Sequence, residues 1–308
     1  MLKYSFVLPA YKARFFKEAL DSILSQTYKD FELIIVNDVS PEDLDSIVNS
    51  YNDPRIRYYK NEKNIGGKDL VAQWNHCLEY AKGEYVILAS DDDVYNPEYL
   101  KKMDKLVCKY PDVNVFRARV QKIDNKGDII HIESYTKELN TNLEFAYAWT
   151  NGYIYSGIPF YLFKKNALEK AGGFVNFPLA WHSDDASVLS LIGGGIVISS
   201  EILFSFRQSG ENISTVCNDS KTLKQKLDAT DIFYKWYEDF LKSVTAKNHY
   251  EKFYKQTIIQ RLETDKRRLQ ICCTENSSFK AILSNSNNLL KQKVISFRYL
   301  IRLLLNRL

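Results

Sequence analysis

The tetrad Ser90-Asp91-Asp92-Asp93 follows the apolar stretch Tyr85-Val86-Ile87-Leu88 and precedes Asn96-Pro97. Three adjacent carboxylates repel one another and stay ionised together where positive charge offsets them, which a hard divalent cation with oxygen ligands supplies. Acidic clusters also cap helices and fill turns, and Asn96-Pro97 has the form of a helix start. Position favours the metal, because carboxylates at the C-terminal end of a buried strand stand where open α/β sheets hold their ligands. A second candidate is Asn64-Ile65-Gly66-Gly67-Lys68. It makes a flexible turn into a helix whose N–H groups and positive end suit a phosphate or a base, with Lys68 adding charge. The same string is also an ordinary turn.

The elements that must position these groups follow from periodicity. Short apolar runs at 4–8, 31–36, 56–59 and 85–88 alternate with helix-length amphipathic segments at 15–24, 41–51, 68–81 and 97–110. Such βαβα alternation predicts an α/β fold with a mostly parallel sheet flanked by helices, and a nucleotide-type ligand along the strands' C-terminal ends. From Val113 the pattern loosens into strand-like pieces (113–123, 129–133), an aromatic segment at 145–149, a Gly-rich region at 171–174 and further strand runs at 196–198 and 203–207. These complete the same domain, expected over 1–215, with a nucleotide-binding half at 1–110 and an acceptor half at 111–215.

Beyond Asn218 the chain has no Gly or Pro and is rich in Lys, Glu, Leu and aromatics, the composition of packed helices. Residues 216–308 are expected to form a helical extension with helices near 220–244, 248–273 and 287–307. From Leu289 onward the sequence holds Lys291, Lys293, Arg298, Arg302 and Arg307 and no acid, among many apolar residues. The stretch 289–308 therefore suits an anionic membrane surface, or packing against its own domain or a homodimer partner. Five positive charges make it a poor membrane-spanning segment.

With 308 residues, 45% of them hydrophobic and 26% charged, the chain is globular. A net charge of +4 without a basic patch or motif argues against a nucleic-acid partner. Five cysteines, none spaced as Cys-x-x-Cys, suit a reducing cytoplasm, and the strand pattern beginning at Tyr4 leaves no room for a signal peptide.

Several strings together resemble the family 2 glycosyltransferases of GT-A (Rossmann-like) fold. They are 5–11 (Ser-Phe-Val-Leu-Pro-Ala-Tyr), 25–40, the pair Asn64 and Gly66, Trp74-Asn75, 81–85 and the Asp91-Asp92-Asp93 run, all in family order. The resemblance implies an inverting, metal-dependent transfer of a sugar from a nucleotide-diphosphate donor, with UDP favoured, to a hydroxyl of a glycan or lipid-linked acceptor of the bacterial surface-polysaccharide type. It implies Mg²⁺ or Mn²⁺ on Asp93 and Asp91, with Asp92 between them turned elsewhere if the backbone stays extended. Pro9, Ala10, Tyr11, Asp38, Asn64, Gly66, Lys68, Asp91 and Asp92 are the implied nucleotide contacts. In Trp181-His182-Ser183-Asp184-Asp185, Asp185 aligns as the general base, with Asp184 orienting the acceptor; the same string is also a good helix cap.

The chain departs from the family pattern in three places. Trp74 stands where many members carry Arg, Ser90 stands where many begin the acidic motif, and the 209–214 stretch lacks a His that relatives place near the diphosphate. Arg207 and His182 are the substitutes expected at that diphosphate. The expectation is a cytoplasmic glycosyltransferase, peripheral on the inner membrane face. One alternative is a catalytically inactive sugar-nucleotide or glycan binding protein. A sugar-phosphate nucleotidyltransferase would need a Gly-rich turn after the first strand, where this chain has Pro9-Ala10-Tyr11-Lys12-Ala13-Arg14.

Overall fold

A computed structural model describes residues 2–210 and 219–307. Within these, 2–176 and 183–209 form one compact unit, and 177–182 with 210 and 219–307 form a second. The first unit opens with β1 (Tyr4–Ala10), α1 (Phe16–Leu24), β2 (Phe31–Asn37), α2 (Leu44–Asn49), β3 (Ile56–Lys60), α3 (Leu70–Leu78), β4 (Tyr85–Leu88), β5 (Val94–Tyr95) and α4 (Tyr99–Lys109). It continues with β6 (Val115–Ile123), β7 (Ile129–Ile132), β8 (Leu139–Asn140), α5 (Asn142–Thr150), β9 (Tyr161–Lys164), α6 (Lys165–Lys170), α7 (Ser183–Leu191) and β10 (Ile196–Arg207).

The strands share one sheet in the order β3-β2-β1-β4-β9-β6-β10-β5. β1 and β2 are buried along almost their whole length, which their unbroken apolar runs foretell, because helices cover both faces of a parallel sheet. The first four strands are parallel, in registers such as Ala10↔Asn37 and Val7↔Leu88. β9 runs antiparallel to β4, so the sheet is mixed from there on. The chain steps from β1 outward to β2 and β3, then returns through α3 to β4 on the other side of β1. That reversal of strand order makes a switch point between β1 and β4.

Pro9 ends the pairing of β1 with β4 there. In a parallel ladder, residues two apart turn their main-chain groups to the same neighbour, and Val7 O accepts from Ala89 N (2.8 Å) on the β4 side. Pro9 has no N–H to extend that ladder, so the β1–β4 pairing stops there.

At the opposite edge, several residues that carry the family resemblance serve the fold. Glu32 accepts from Ser5 Oγ and Lys82 N (both 2.7 Å) and from Arg57 (2.6 Å), and Gly83 N donates to Ser5 Oγ (2.8 Å). A Cβ on Gly83 would sit 2.8 Å from the Ser5 backbone, which fixes glycine at that position.

The second unit contains α8 (Ser220–Ser243), α9 (His249–Glu275), α10 (Phe279–Lys291) and α11 (Phe297–Leu305). The helix expected over 287–307 is broken. Lys293 adopts φ +56°, Val294 N bonds back to Leu289 O (2.9 Å), and the Ser296 hydroxyl caps α11. The break lets Leu289, Val294, Ile295, Leu300 and Leu303 share a core with Leu223 and Leu227 of α8. Cys77, Cys108 and Cys272 are free thiols, and Cys217 lies outside the described residues.

Candidate active site

The acidic run sits where the pairing of β1 with β4 ends and is fastened there. The Asp91 carboxylate accepts from the N–H groups of Tyr11 (3.0 Å) and Lys12 (2.8 Å), tying the end of β4 to the loop that leaves β1. The chain bends at Asp91 and Asp92, so the alternation expected of an extended backbone does not hold. Asp93 is the residue turned inward. It is 1% exposed, accepts from Arg207 N (2.8 Å), and takes the Ser90 hydroxyl on its other oxygen. Asp93, expected to ligate a cation, thus has one hydrogen bond from the protein on each of its oxygens. Burial, then the neighbouring Asp92 charge, holds its carboxyl well above the ordinary range.

Asp92 is pushed up to about 6 by burial and by Asp91, against the pull of Lys12 and Arg207. Burial raises Asp91 as well. Carboxylates crowded together, with their proton affinities raised, are relieved by added positive charge. Among the described residues, no three His, Cys, Asp or Glu side chains cluster as a metal site. The run fits a cation of the Mg²⁺ or Mn²⁺ type, which needs one or two carboxylates and takes its other oxygens from phosphate and water.

Arg207, expected at a diphosphate, is buried beneath the run. Its guanidinium donates to Asp92 O (2.9 Å) and Asp124 O (3.1 Å), pairs with Glu18 (2.7 Å) and lies over the Phe15 ring (4.3 Å). It braces the acidic loop from behind.

Asp38 is 4% exposed, and its carboxylate accepts from Asn61 (2.7 Å), Asn64 (3.1 Å), Ile65 N (2.8 Å) and Gly66 N (2.7 Å). Four bonds fill a carboxylate's lone-pair directions, so Asp38 shapes the 61–67 loop. The N–H groups that the sequence offered to a phosphate are spent: Ile65 and Gly66 on Asp38, and Gly67 on Asn64 Oδ1 (2.8 Å). The helix also starts later than 68, at Leu70, with Asp69 capping Ala72 N (2.9 Å). Lys68 is exposed ahead of it.

Trp74 and Asn75 face the second half of the unit. The Trp74 ring meets Phe174 edge-on at 5.8 Å, and Asn75 Oδ1 accepts from Phe174 N (2.9 Å). Gly173, at φ +91°, leaves room for Asn75: a Cβ there would lie 2.5 Å from Asn75 Oδ1.

Asp184 and Asp185 occupy the first turn of α7, where the helix dipole favours negative charge. Asp184 Oδ1 accepts from Asp185 N (3.0 Å), and burial followed by the Asp185 charge keeps the Asp184 carboxyl well above its ordinary range. Burial, reinforced by the Asp185 and Asp184 charges, likewise raises the phenol of Tyr161. Tyr161 is the first residue of β9, which runs antiparallel to β4, so it lies toward the β4 end that bears the acidic run.

Immediately before α7 the backbone is unusual. Leu179 (φ 59°), Ala180 (φ 55°) and His182 (φ 69°) are left-handed, at a cost of order 1–3 kcal/mol each. His182, the other residue expected at a diphosphate, belongs to the helical unit and stacks on Phe233 at 4.3 Å.

Sequence reasoning passed over Ser90 as a partner of Asp93, Lys12 as a charge beside the run, and the buried pair Arg117–Glu133. Glu133 takes both guanidinium nitrogens (2.5 and 2.8 Å) and Tyr155 N (2.6 Å), while Arg117 donates to Tyr155 O (2.8 Å). One signal was available, a charged residue at an inward position of an apolar strand.

A family model described as Glycosyl transferase family 2 matches residues 5–172. An uncharacterized glycosyltransferase of Rickettsia typhi is 31% identical over 140 residues, 44% of this chain and 42% of that protein. The match thus spans about two fifths of that relative's length. Among solved structures, residues 1–349 of S. aureus TarS in complex with UDP-GlcNAc superpose with a TM-score of 0.66 at 16% identity, over 91% of this chain and 83% of that one. A mannosyltransferase from Pyrobaculum calidifontis in complex with GDP-Man and Mn²⁺ gives 0.56 at 15% identity, over 92% and 75%. At such identities the likeness is one of fold, the GT-A arrangement of a central sheet between helices.

Proposed function

The chain belongs to glycosyl transferase family 2, and from that membership we propose that it moves a sugar from a nucleotide-diphosphate donor, UDP-linked by preference, to a hydroxyl of a glycan or lipid-linked acceptor. What supports this is the acidic run Asp91-Asp92 directly behind β4, together with the acid pair Asp184-Asp185 in the first turn of α7. The backbone of Pro9, Ala10 and Tyr11, with the loop that Asp38 shapes around Asn64 and Gly66, offers a floor and wall for base and ribose. Asp91 and Asp92 would hold Mg²⁺ or Mn²⁺. When bound, such an ion supplies electrostatic stabilisation of the charge that develops on the departing diphosphate.

Of the acid pair in the first turn of α7, Asp185 is assigned as the general base and Asp184 as the residue that orients the acceptor. Asp185 takes the proton of the acceptor hydroxyl as its oxygen bonds to the anomeric carbon and the bond to the diphosphate breaks on the opposite face, inverting that centre. Among the described residues no helix is long and apolar enough to cross a membrane. A peripheral association is supported by α11, whose Phe297 (66% exposed), Ile301 (42%) and Leu305 (63%) form one outward stripe between basic residues.

Release of nucleotide from a panel of nucleotide sugars, with and without Mn²⁺, tests the proposal. Metal-stimulated release that falls by two orders of magnitude or more in Asp185→Asn supports it. Binding of the donor without any release overturns it in favour of a sugar-nucleotide binding protein.

A further inference from the structure

We propose that helix α8 positions the catalytic acid pair, with Thr230 and Phe233 acting as positioning residues that hold the segment leading into α7 in its left-handed conformation. The inference rests on the role proposed for Asp185 and adds to it the device that aims that carboxylate. Three residues with a Cβ at positive φ within four positions do not persist on local preference; such a backbone survives only where its surroundings over-determine it.

The surroundings here come from α8. The Trp181 indole N–H donates to Thr230 Oγ1 (3.1 Å), and the Thr230 hydroxyl donates its own proton to Lys226 O (2.7 Å), which leaves a lone pair aimed at the indole. The Lys226 ammonium lies over the Trp181 ring (4.6 Å). The His182 ring lies on that of Phe233 at 4.3 Å and 11° between planes, and Phe177 meets Phe233 edge-on at 6.3 Å. Thr230 and Phe233 are fully buried.

Residues 177–182 thus group with the helices, although the chain on both sides groups with the sheet. The hook ends at His182, one residue before α7 and two before Asp184. Peptide planes are rigid, so a segment released from positive φ turns the following peptide and with it the first turn of α7. A displacement of about 1 Å at a proton-accepting group is enough to lower turnover by up to a hundredfold. Tyr11, Lys12, Ser90 and Arg207, which donate to the Asp91 and Asp93 carboxylates, lie outside the hook.

The test uses Thr230→Val, which keeps shape and removes the acceptor, Phe233→Leu, which removes the stacked ring, and Thr230→Ser as the conservative control. Expected are a tenfold to hundredfold fall in nucleotide release for the first two, roughly the effect of that displacement, with donor affinity within about twofold of wild type and Thr230→Ser close to wild type. Hydrogen–deuterium exchange is expected to speed up over 177–186 and to stay unchanged in β1 and β4. Wild-type turnover in cooperatively folded variants, or donor affinity lost in step with turnover, overturns the proposal. If the wild-type chain releases no nucleotide from any donor, the functional assignment fails instead. The exchange measurement then decides alone, and unchanged protection over 177–186 overturns the hook.

Discussion

Replacing Asp92 by Asn is expected to make the apo protein more stable at neutral pH while abolishing its response to metal. Burial and the neighbouring Asp91 charge push the Asp92 carboxyl up to about 6 in the fold from an ordinary 3.8. At roughly 1.4 kcal/mol per pH unit, holding it ionised costs the native state up to about 3 kcal/mol. The sign follows from proton binding: the folded state binds this proton more tightly than the unfolded state, so stability falls as pH rises through that interval. The cost is absent below about pH 4, grows between about 4 and 6, and stands in full above 6. Urea denaturation of wild type and Asp92→Asn across pH 4 to 8 should therefore give curves that coincide at the acid end and separate by up to about 3 kcal/mol at pH 7.5, with the variant on top. Saturating Mn²⁺ should close that gap by stabilising wild type alone, because a cation offsets the same repulsion. A variant less stable than wild type at pH 7.5, or a separation that does not depend on pH, refutes the idea that crowded carboxylates are poised for a cation.

Other perturbations probe the supports of the site. Arg117→Met leaves Glu133 buried without its partner and should cost about 3–5 kcal/mol in urea denaturation, with Arg117→Met/Glu133→Gln recovering part of it; equal loss in single and double variants contradicts this. Gly173→Ala should destabilise by about 1–3 kcal/mol because φ is +91°. Adding Asn75→Ala should relieve only the clash, so complete rescue would show that the backbone angle is no burden. Phe297→Ser with Leu305→Ser should end co-sedimentation with phosphatidylglycerol vesicles, which wild type should show at low salt and lose at high salt. Wild-type protein that stays in solution with such vesicles removes the membrane assignment.

Strand and helix order over the first 110 residues was legible because those signals are local. Apolar runs at 4–8, 31–36 and 85–88 fall on β1, β2 and β4 nearly to the residue, and acids directly behind a buried strand have to emerge at its C-terminal edge. The 203–207 and 196–198 runs read as separate pieces, yet they form the single strand β10, whose irregular register with β6 lies between Ile198 and Phe204. The tail composition announced helices but not the left-handed turn at Lys293 that folds α11 back onto α10, since nothing in a basic apolar stretch marks where it bends.

The amino-acid order by itself settled the family, the α/β alternation and which strand ends bear acids, all consequences of periodicity and of short contiguous motifs. Only the tertiary structure decided which partners each acid meets. Asp93 turns inward because its partner Arg207 lies 114 residues away, Asp38 is filled by a loop 23 to 28 residues on, and Asn75 meets Phe174 across 99 residues. The Trp181–Thr230 hydrogen bond and the His182–Phe233 stack likewise join residues about fifty positions apart. A side chain's role in a buried polar site is set by the donors and charges packed around it, and those arrive from distant parts of the chain only when it folds.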